Sequence, residues 1–213
     1  MEALDKRLFD TGVIPVIALE DETLAVPLAQ ALLAGGIAAA EVTFRTPAAA
    51  GGIARMAKSH PEMLVCAGTV LTVDQAKAAV DAGAQAVISP GTNPKVVEWC
   101  LAHQVPVYPG CATPTEVEAA LGLGLTTVKL FPAQVVGGVA MLKALYGPYR
   151  QVKFMPTGGI SPANLGEYLA QPNVIACGGS WLCPKEHLAA GNWQKIADLA
   201  QACSDMVRQL RAQ

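Results

Sequence analysis

Short runs of β-branched and apolar residues alternate along the chain with longer Ala- and Leu-rich stretches that carry charges at helical spacing. The short runs predict strands at Val13–Leu19, Ala38–Phe44, Leu64–Ala67, Ala86–Ser89, Val105–Tyr108, Thr127–Phe131, Lys153–Pro156 and Val174–Cys177. The longer stretches predict helices at about Thr23–Ala34, Pro47–Lys58, Val73–Ala82, Pro94–His103, Pro114–Leu121, Val139–Leu145 and Pro162–Ala170, with Trp193–Arg211 last. Several helices are announced by a capping residue followed by proline, as in Thr46-Pro47, Asn93-Pro94, Thr113-Pro114 and Ser161-Pro162. Gly35, Gly83 and Gly124 stand where helices should stop.

Repeated βα units leave two architectures, an open doubly wound sheet or a closed (β/α)8 TIM barrel. No GxGxxG follows the first strand, and several strands hold polar residues within apolar surroundings. An open sheet covered by helices buries both faces, whereas a barrel presents alternate side chains to its own interior. The (β/α)8 barrel is therefore the expected fold, as one domain over residues 1–213, a length at the lower end for such barrels. Catalytic groups are then expected at the C-terminal ends of the strands and in the loops that follow.

That expectation gives the polar strand residues a location. In AAAEVTFRT the two-residue period puts Glu41, Thr43 and Arg45 on one face, directed inward. A carboxylate there suits acid/base work and a guanidinium suits the clamping of a carboxylate, although a buried ion pair without chemistry has the same pattern. In TTVKLFP, Lys129 lies between Val128 and Leu130 and shares a face with Thr127 and Phe131. Desolvation disfavours an ammonium, and the free amine is the species that attacks a ketone. A lysine reaching out to solvent, or simply paired with Glu41, is the alternative.

Glycine pairs follow the seventh and eighth strands, in PTGGISP and CGGSWL. Barrels of this type commonly bind phosphate there, because glycine lets backbone N–H groups approach an oxyanion. Gly158, Gly159, Gly179 and Ser180 are the candidates. Thr69 stands at the rim after the third strand, where its hydroxyl suits donation to a substrate carboxylate or equally to a neighbouring carbonyl, and Pro90, Phe131 and Thr157 are expected to line the pocket. Cys111 lies at the same rim without a sequence-near histidine, which argues against a nucleophilic thiol.

Composition narrows the classes. Fifteen Lys and Arg against seventeen Asp and Glu give a net charge of −2, with no basic run, so nucleic acid is not an expected partner. The six cysteines form no CxxC, and the three histidines lie far apart, which predicts no metal site. The apolar run from Leu24 to Ala40 contains Pro27, Gln30 and Gly35-Gly36 and reads as helix, turn and strand rather than a membrane span. MEALDKRLFD carries charges and no signal-like apolar stretch, so a cytoplasmic protein with reduced thiols is expected.

The segments VIPVIAL, EVTFRT, GTVL, AVISPG, VKLFPA, PTGGISPANL and GGSWL follow one another in this order. Together they resemble the bacterial 2-keto-3-deoxy-6-phosphogluconate (KDPG) and 4-hydroxy-2-oxoglutarate (KHG) aldolase family over nearly the whole chain. The resemblance implies class I aldol chemistry with no cofactor, a homotrimer, and a phosphorylated 2-keto-3-deoxy sugar acid and pyruvate as small-molecule partners. It implies Lys129 as the Schiff-base lysine and Glu41 as the general acid/base. Arg45 and Thr69 would hold the pyruvyl carboxylate, and the Gly158-Gly159 and Gly179-Ser180 turns the phosphate. Other readings of the same residues are an aldolase for the galactonate-derived epimer, a phosphate-binding barrel isomerase or epimerase, and a non-catalytic sugar-acid sensor.

Overall fold

Alternation in the sequence becomes a curled parallel sheet wrapped in helices in a computed structural model that describes residues 2–212. The strands are β1 (Val13–Ile17), β2 (Ala39–Thr43), β3 (Leu64–Gly68), β4 (Ala86–Ile88), β5 (Val107–Tyr108), β6 (Gly110–Cys111), β7 (Thr127–Leu130), β8 (Lys153–Pro156) and β9 (Cys177–Gly179). The helices are α1 (Glu2–Thr11), α2 (Ala25–Ala34), α3 (Ala49–Ser59), α4 (Val73–Asp81), α5 (Pro94–Ala102), α6 (Pro114–Gly122), α7 (Gly138–Tyr146), α8 (Leu165–Leu169), α9 (Lys185–Ala189) and α10 (Trp193–Arg211).

The fold is TIM-barrel-like, but its ladder is not the single eight-stranded ring expected. Among the described residues it forms a six-stranded sheet in the order β5-β4-β3-β2-β1-β9 and a three-stranded sheet in the order β6-β7-β8. The predicted fifth strand, Val105–Tyr108, shortens to β5, and Pro109, which has no N–H to offer a ladder, separates it from β6, although its carbonyl still accepts from the Lys129 N–H at 2.9 Å. Between β8 and the β9 segment only two isolated bridges form, Phe154 with Val174 and Thr157 with Gly178. The last strand also falls later than predicted. Its register is set by β1, where Val13, Ile14 and Pro15 pair with Cys177, Gly178 and Gly179, and this pairing overrides the low strand propensity of glycine.

The two faces of the sheet bury different clusters. Ala40 and Val42 of β2, with Val128 and Leu130 of β7, pack outward against the helices. Ile14, Ala39, Leu64, Cys66, Ala86, Ile88, Tyr108 and Met155 fill the interior of the curl. Two of the four proline-marked helix starts hold. Asn93 caps α5, accepting from the Lys95 N–H, and Thr113 forms a reciprocal capping box with Glu116 at α6. Helices α3 and α8 instead begin after Pro47 and Pro162. Neither helix has a side-chain cap: the Thr46 hydroxyl donates to the Leu19 carbonyl, and the Ser161 N–H donates to the Asn164 side chain.

Helix α1 was not expected from its charged sequence. Leu8 is fully buried in the interior cluster, and Leu4, one turn earlier, packs on the same cluster, so the helix closes the lower end of the curl. Between them Asp5 accepts hydrogen bonds from the Tyr108 hydroxyl at 2.7 Å and the Thr127 hydroxyl at 2.9 Å. Asp5→Ala strands two hydroxyls and is expected to lower the unfolding free energy by about 2 kcal/mol. Urea titration checks this, and adding Tyr108→Phe to Asp5→Ala should recover part of the loss, because one orphaned hydroxyl is then gone.

Candidate active site

Strand β7 carries Lys129 between two outward-facing apolar residues, and the pleat therefore turns its side chain into the curl. Glu41 points inward from β2 by the same alternation. The two residues, 4% and 2% exposed, meet with Lys129 Nζ 3.0 Å from Glu41 Oε1, which rules out a lysine reaching solvent. Removing both charges from water costs several kcal/mol per ion, and their attraction does not reliably offset it. Such a pair is poor evidence for stability and good evidence for chemistry. A primary amine in hydrogen-bond contact with a carboxylate is a nucleophile with a proton acceptor already in place.

Neighbouring residues hold this pair. The Phe131 ring lies with its centroid 5.5 Å from Lys129 Nζ. Thr43, inward and buried, donates to the Ile17 carbonyl at 2.8 Å and ties β2 to β1 beside the carboxylate. Gly68 is the Cα partner of Thr43 on β3, and a Cβ at Gly68 would overlap the Glu41 side chain, standing 2.6 Å from Cγ and 2.8 Å from Cδ. The absence of a side chain at Gly68 is what leaves room for Glu41. Cys66 is the Cα partner of Glu41, and burial and then the Glu41 charge push its thiol well above the ordinary range.

Arg45 does not join Glu41 on a buried face. Pairing of β2 with β3 ends at Thr43 and Gly68, and the anchoring of Thr46 on Leu19 turns the chain, so the two-residue period stops before Arg45. Its side chain is exposed and lines a cavity of about 250 Å³ together with Val16, Ser180, Glu20 and Lys185. Val16 is the Cα partner of Glu41, so this cavity borders the strand next to the one that carries the carboxylate.

The other rim residues fall as follows. Thr69, half-buried, has φ of +55°, a left-handed conformation that a β-branched residue adopts only under strain of order 1–3 kcal/mol. It is held there from both sides, by the Gly68 carbonyl accepting from Phe44 N–H and by Val70 N–H donating to Ile88. Pro90 is half-buried after β4, its carbonyl against the backbone of Gly110. Thr157 is buried, its side chain filling the space that a Cβ on Gly178 would need.

Gly158 and Gly159 have φ of +101° and +78°, and the Gly158 carbonyl accepts from the Gln134 N–H. They form a tight turn against Gln134 and do not line the cavity that Arg45 and Ser180 share. Gly179 pairs with Pro15, and Ser180 follows it, exposed, at the start of a 3-10 turn over Ser180–Leu182. Sequence reading missed Gly68, Glu20 and Lys185. The only signal for Gly68 was its position opposite the inward residues of β2, visible once strand register is known. The Cys111 thiol is buried and pushed up to about 11, which removes it as a nucleophile near neutral pH.

A family model described as KDPG and KHG aldolase matches residues 4–199. The chain belongs to this family. It is 53% identical over 206 residues to the 2-dehydro-3-deoxy-phosphogluconate aldolase of Treponema pallidum, covering 97% of this chain and 96% of the relative. Identity to the KHG/KDPG aldolase of Escherichia coli K12 is 45% over 197 residues, 92% of each chain. Among solved structures, the KDPG aldolase of Legionella pneumophila superposes with a TM-score of 0.91 at 42% identity, covering 93% of this chain and 97% of that one. That structure holds pyruvate captured at low pH as a covalent carbinolamine intermediate. No helix among the described residues of this aldolase-family chain is long and apolar enough to cross a membrane.

Proposed function

We propose that this chain is a class I aldolase that cleaves 2-keto-3-deoxy-6-phosphogluconate to pyruvate and glyceraldehyde 3-phosphate, and 4-hydroxy-2-oxoglutarate to pyruvate and glyoxylate. The observation that carries this reading is the buried contact between Lys129 and Glu41. It is supported by the relatives' names and by the carbinolamine of the Legionella enzyme, an adduct that requires an amine adding to the ketone of pyruvate.

In this reading Lys129 gives a proton to Glu41 and attacks the C2 ketone, forming a carbinolamine that loses water to a protonated imine. Glu41, deprotonated again, takes the C4 hydroxyl proton, the C3–C4 electron pair moves into the imine, and the aldehyde leaves. The enamine is protonated at C3 from Glu41, and water releases pyruvate and free Lys129. The imine is the electron sink, so the cycle uses no cofactor. Arg45 and Thr69 hold the carboxylate, so the ketone faces Lys129, and Pro90, Phe131 and Thr157 shape the pocket. Ser180 and the adjoining Gly179 backbone receive the phosphate, while Gly158 and Gly159, outside that cavity, hold the turn against Gln134.

The same reading treats residues 1–213 as one domain and counts β5 with β6 as a single strand, so that the bridges at Val174 and Gly178 close an eight-stranded barrel. It also has the chain working as a homotrimer in the cytoplasm, supported by an Ala-rich, charge-poor helical exterior and by six free, buried cysteines.

Borohydride reduction in the presence of pyruvate, followed by peptide mass spectrometry, tests the proposal. Reduced pyruvate is expected on the peptide containing Lys129. A folded protein that gains no adduct, or gains it on another lysine, overturns the imine mechanism.

A further inference from the structure

The cavity beside Arg45 and Ser180 contains two charged side chains to which the cycle above gives no task. Lys185 Nζ lies 3.1 Å from Glu20 Oε1 although the residues are 165 positions apart. They project from the segments that follow β9 and β1, which are adjacent strands, so the pair spans one wall of the cavity. Its lining thus presents the Arg45 guanidinium, the Lys185 ammonium and the Ser180 hydroxyl, with Glu20 as its single carboxylate.

Both members of the pair are exposed, and an exposed ion pair is held weakly enough to exchange partners. A phosphate carries more charge than the Glu20 carboxylate and offers three acceptor oxygens, so it competes well for the same ammonium. Glu20, meanwhile, repels any anion that enters without displacing it from Lys185.

We infer that Lys185 rests on Glu20 when the cavity is empty and transfers to the terminal phosphate of the substrate. The pair then sets the enzyme's preference for phosphorylated over unphosphorylated 2-keto acids. This inference rests on the reading of the Ser180 cavity as the phosphate subsite. It goes beyond that reading in naming the cation that moves and the carboxylate it leaves.

The test is parallel steady-state kinetics on 2-keto-3-deoxy-6-phosphogluconate and on 4-hydroxy-2-oxoglutarate, read as the ratio of the two kcat/KM values. Lys185→Ala is expected to lower that ratio about tenfold, mainly through KM of the phosphorylated substrate, and Lys185→Arg to restore most of it. Glu20→Gln, which frees the lysine, is expected to raise the ratio by roughly two- to fivefold, with the gain shrinking in high salt.

Ser180→Ala separates the two layers of argument. If Ser180→Ala lowers the ratio while Lys185→Ala leaves it as in the parent, the phosphate subsite stands and the role of Lys185 is wrong. If neither variant moves the ratio, the subsite reading fails and the inference with it. A Lys185→Ala enzyme that loses both substrates equally also overturns the inference, since a lysine selective for phosphate has no reason to affect the unphosphorylated acid.

Discussion

Lys129→Ala is expected to lower kcat for aldol cleavage by about 10⁴-fold or more and to abolish borohydride trapping of pyruvate. Loss of the amine removes the covalent route itself, so no increase in substrate concentration should compensate. The same substitution leaves the Glu41 carboxylate buried without its cation, a situation that typically costs about 3–5 kcal/mol of stability. Inactivity must therefore be separated from unfolding. Adding Glu41→Gln to Lys129→Ala removes the stranded charge, and urea titration should show much of the stability returning while turnover stays absent. Lys129→Arg makes the complementary point: it keeps a cation for Glu41 but has no amine able to form the imine. An alanine variant that still cleaves substrate at more than a hundredth of the parent rate would mean that Lys129 is not the nucleophile.

Gly68→Ala is expected to lower kcat by about 10²-fold while the protein still folds. The backbone at Gly68 is not in the left-handed region, so alanine brings no conformational strain there. What the new methyl meets is the Glu41 side chain, with Cγ at 2.6 Å and Cδ at 2.8 Å. A flexible side chain yields more readily than backbone, so the fold should survive with an overpacking cost of about 1–3 kcal/mol. Glu41 itself must move away from its 3.0 Å contact with Lys129, and a displacement of about 1 Å is enough for a hundredfold loss. Trapping of pyruvate on Lys129 should persist, because the nucleophile is untouched. A variant with parental kcat would show that Glu41 does not need its position against Gly68.

The Lys129–Glu41 pair could be read from sequence because a charge flanked by outward apolar residues on a buried strand has only the interior to enter. Arg45 could not be assigned to that interior correctly, because the period-2 argument assumes a strand that continues, and pairing ends at Thr43. Helix α1 was hidden for a different reason. Among the described residues of MEALDKRLFD only Leu4 and Leu8 pack into the interior cluster, and the hydrogen bonds of Asp5 come from residues 103 and 122 positions away. Gly178 and Gly179 read as a turn because strand propensity is low for glycine, yet contact with Thr157 and pairing with β1 fixed them as strand. Lys185 and Glu20 gave no signal at all, since an exposed lysine and glutamate far apart in sequence look like any solvated pair.

The break at Pro109 gives the N-terminal helix a task beyond plugging the curl. Tyr108 ends the edge strand of the six-stranded sheet, and Thr127 lies on the central strand of the three-stranded one. By accepting from both, Asp5 acts as a clasp across the seam that the missing proline N–H leaves open. Glu41 belongs to one side of that seam and Lys129 to the other. Alignment of base with nucleophile is thus maintained in part by a carboxylate that holds β7 two positions before Lys129, and helix α1 serves as the fastening that keeps two half-shells in step.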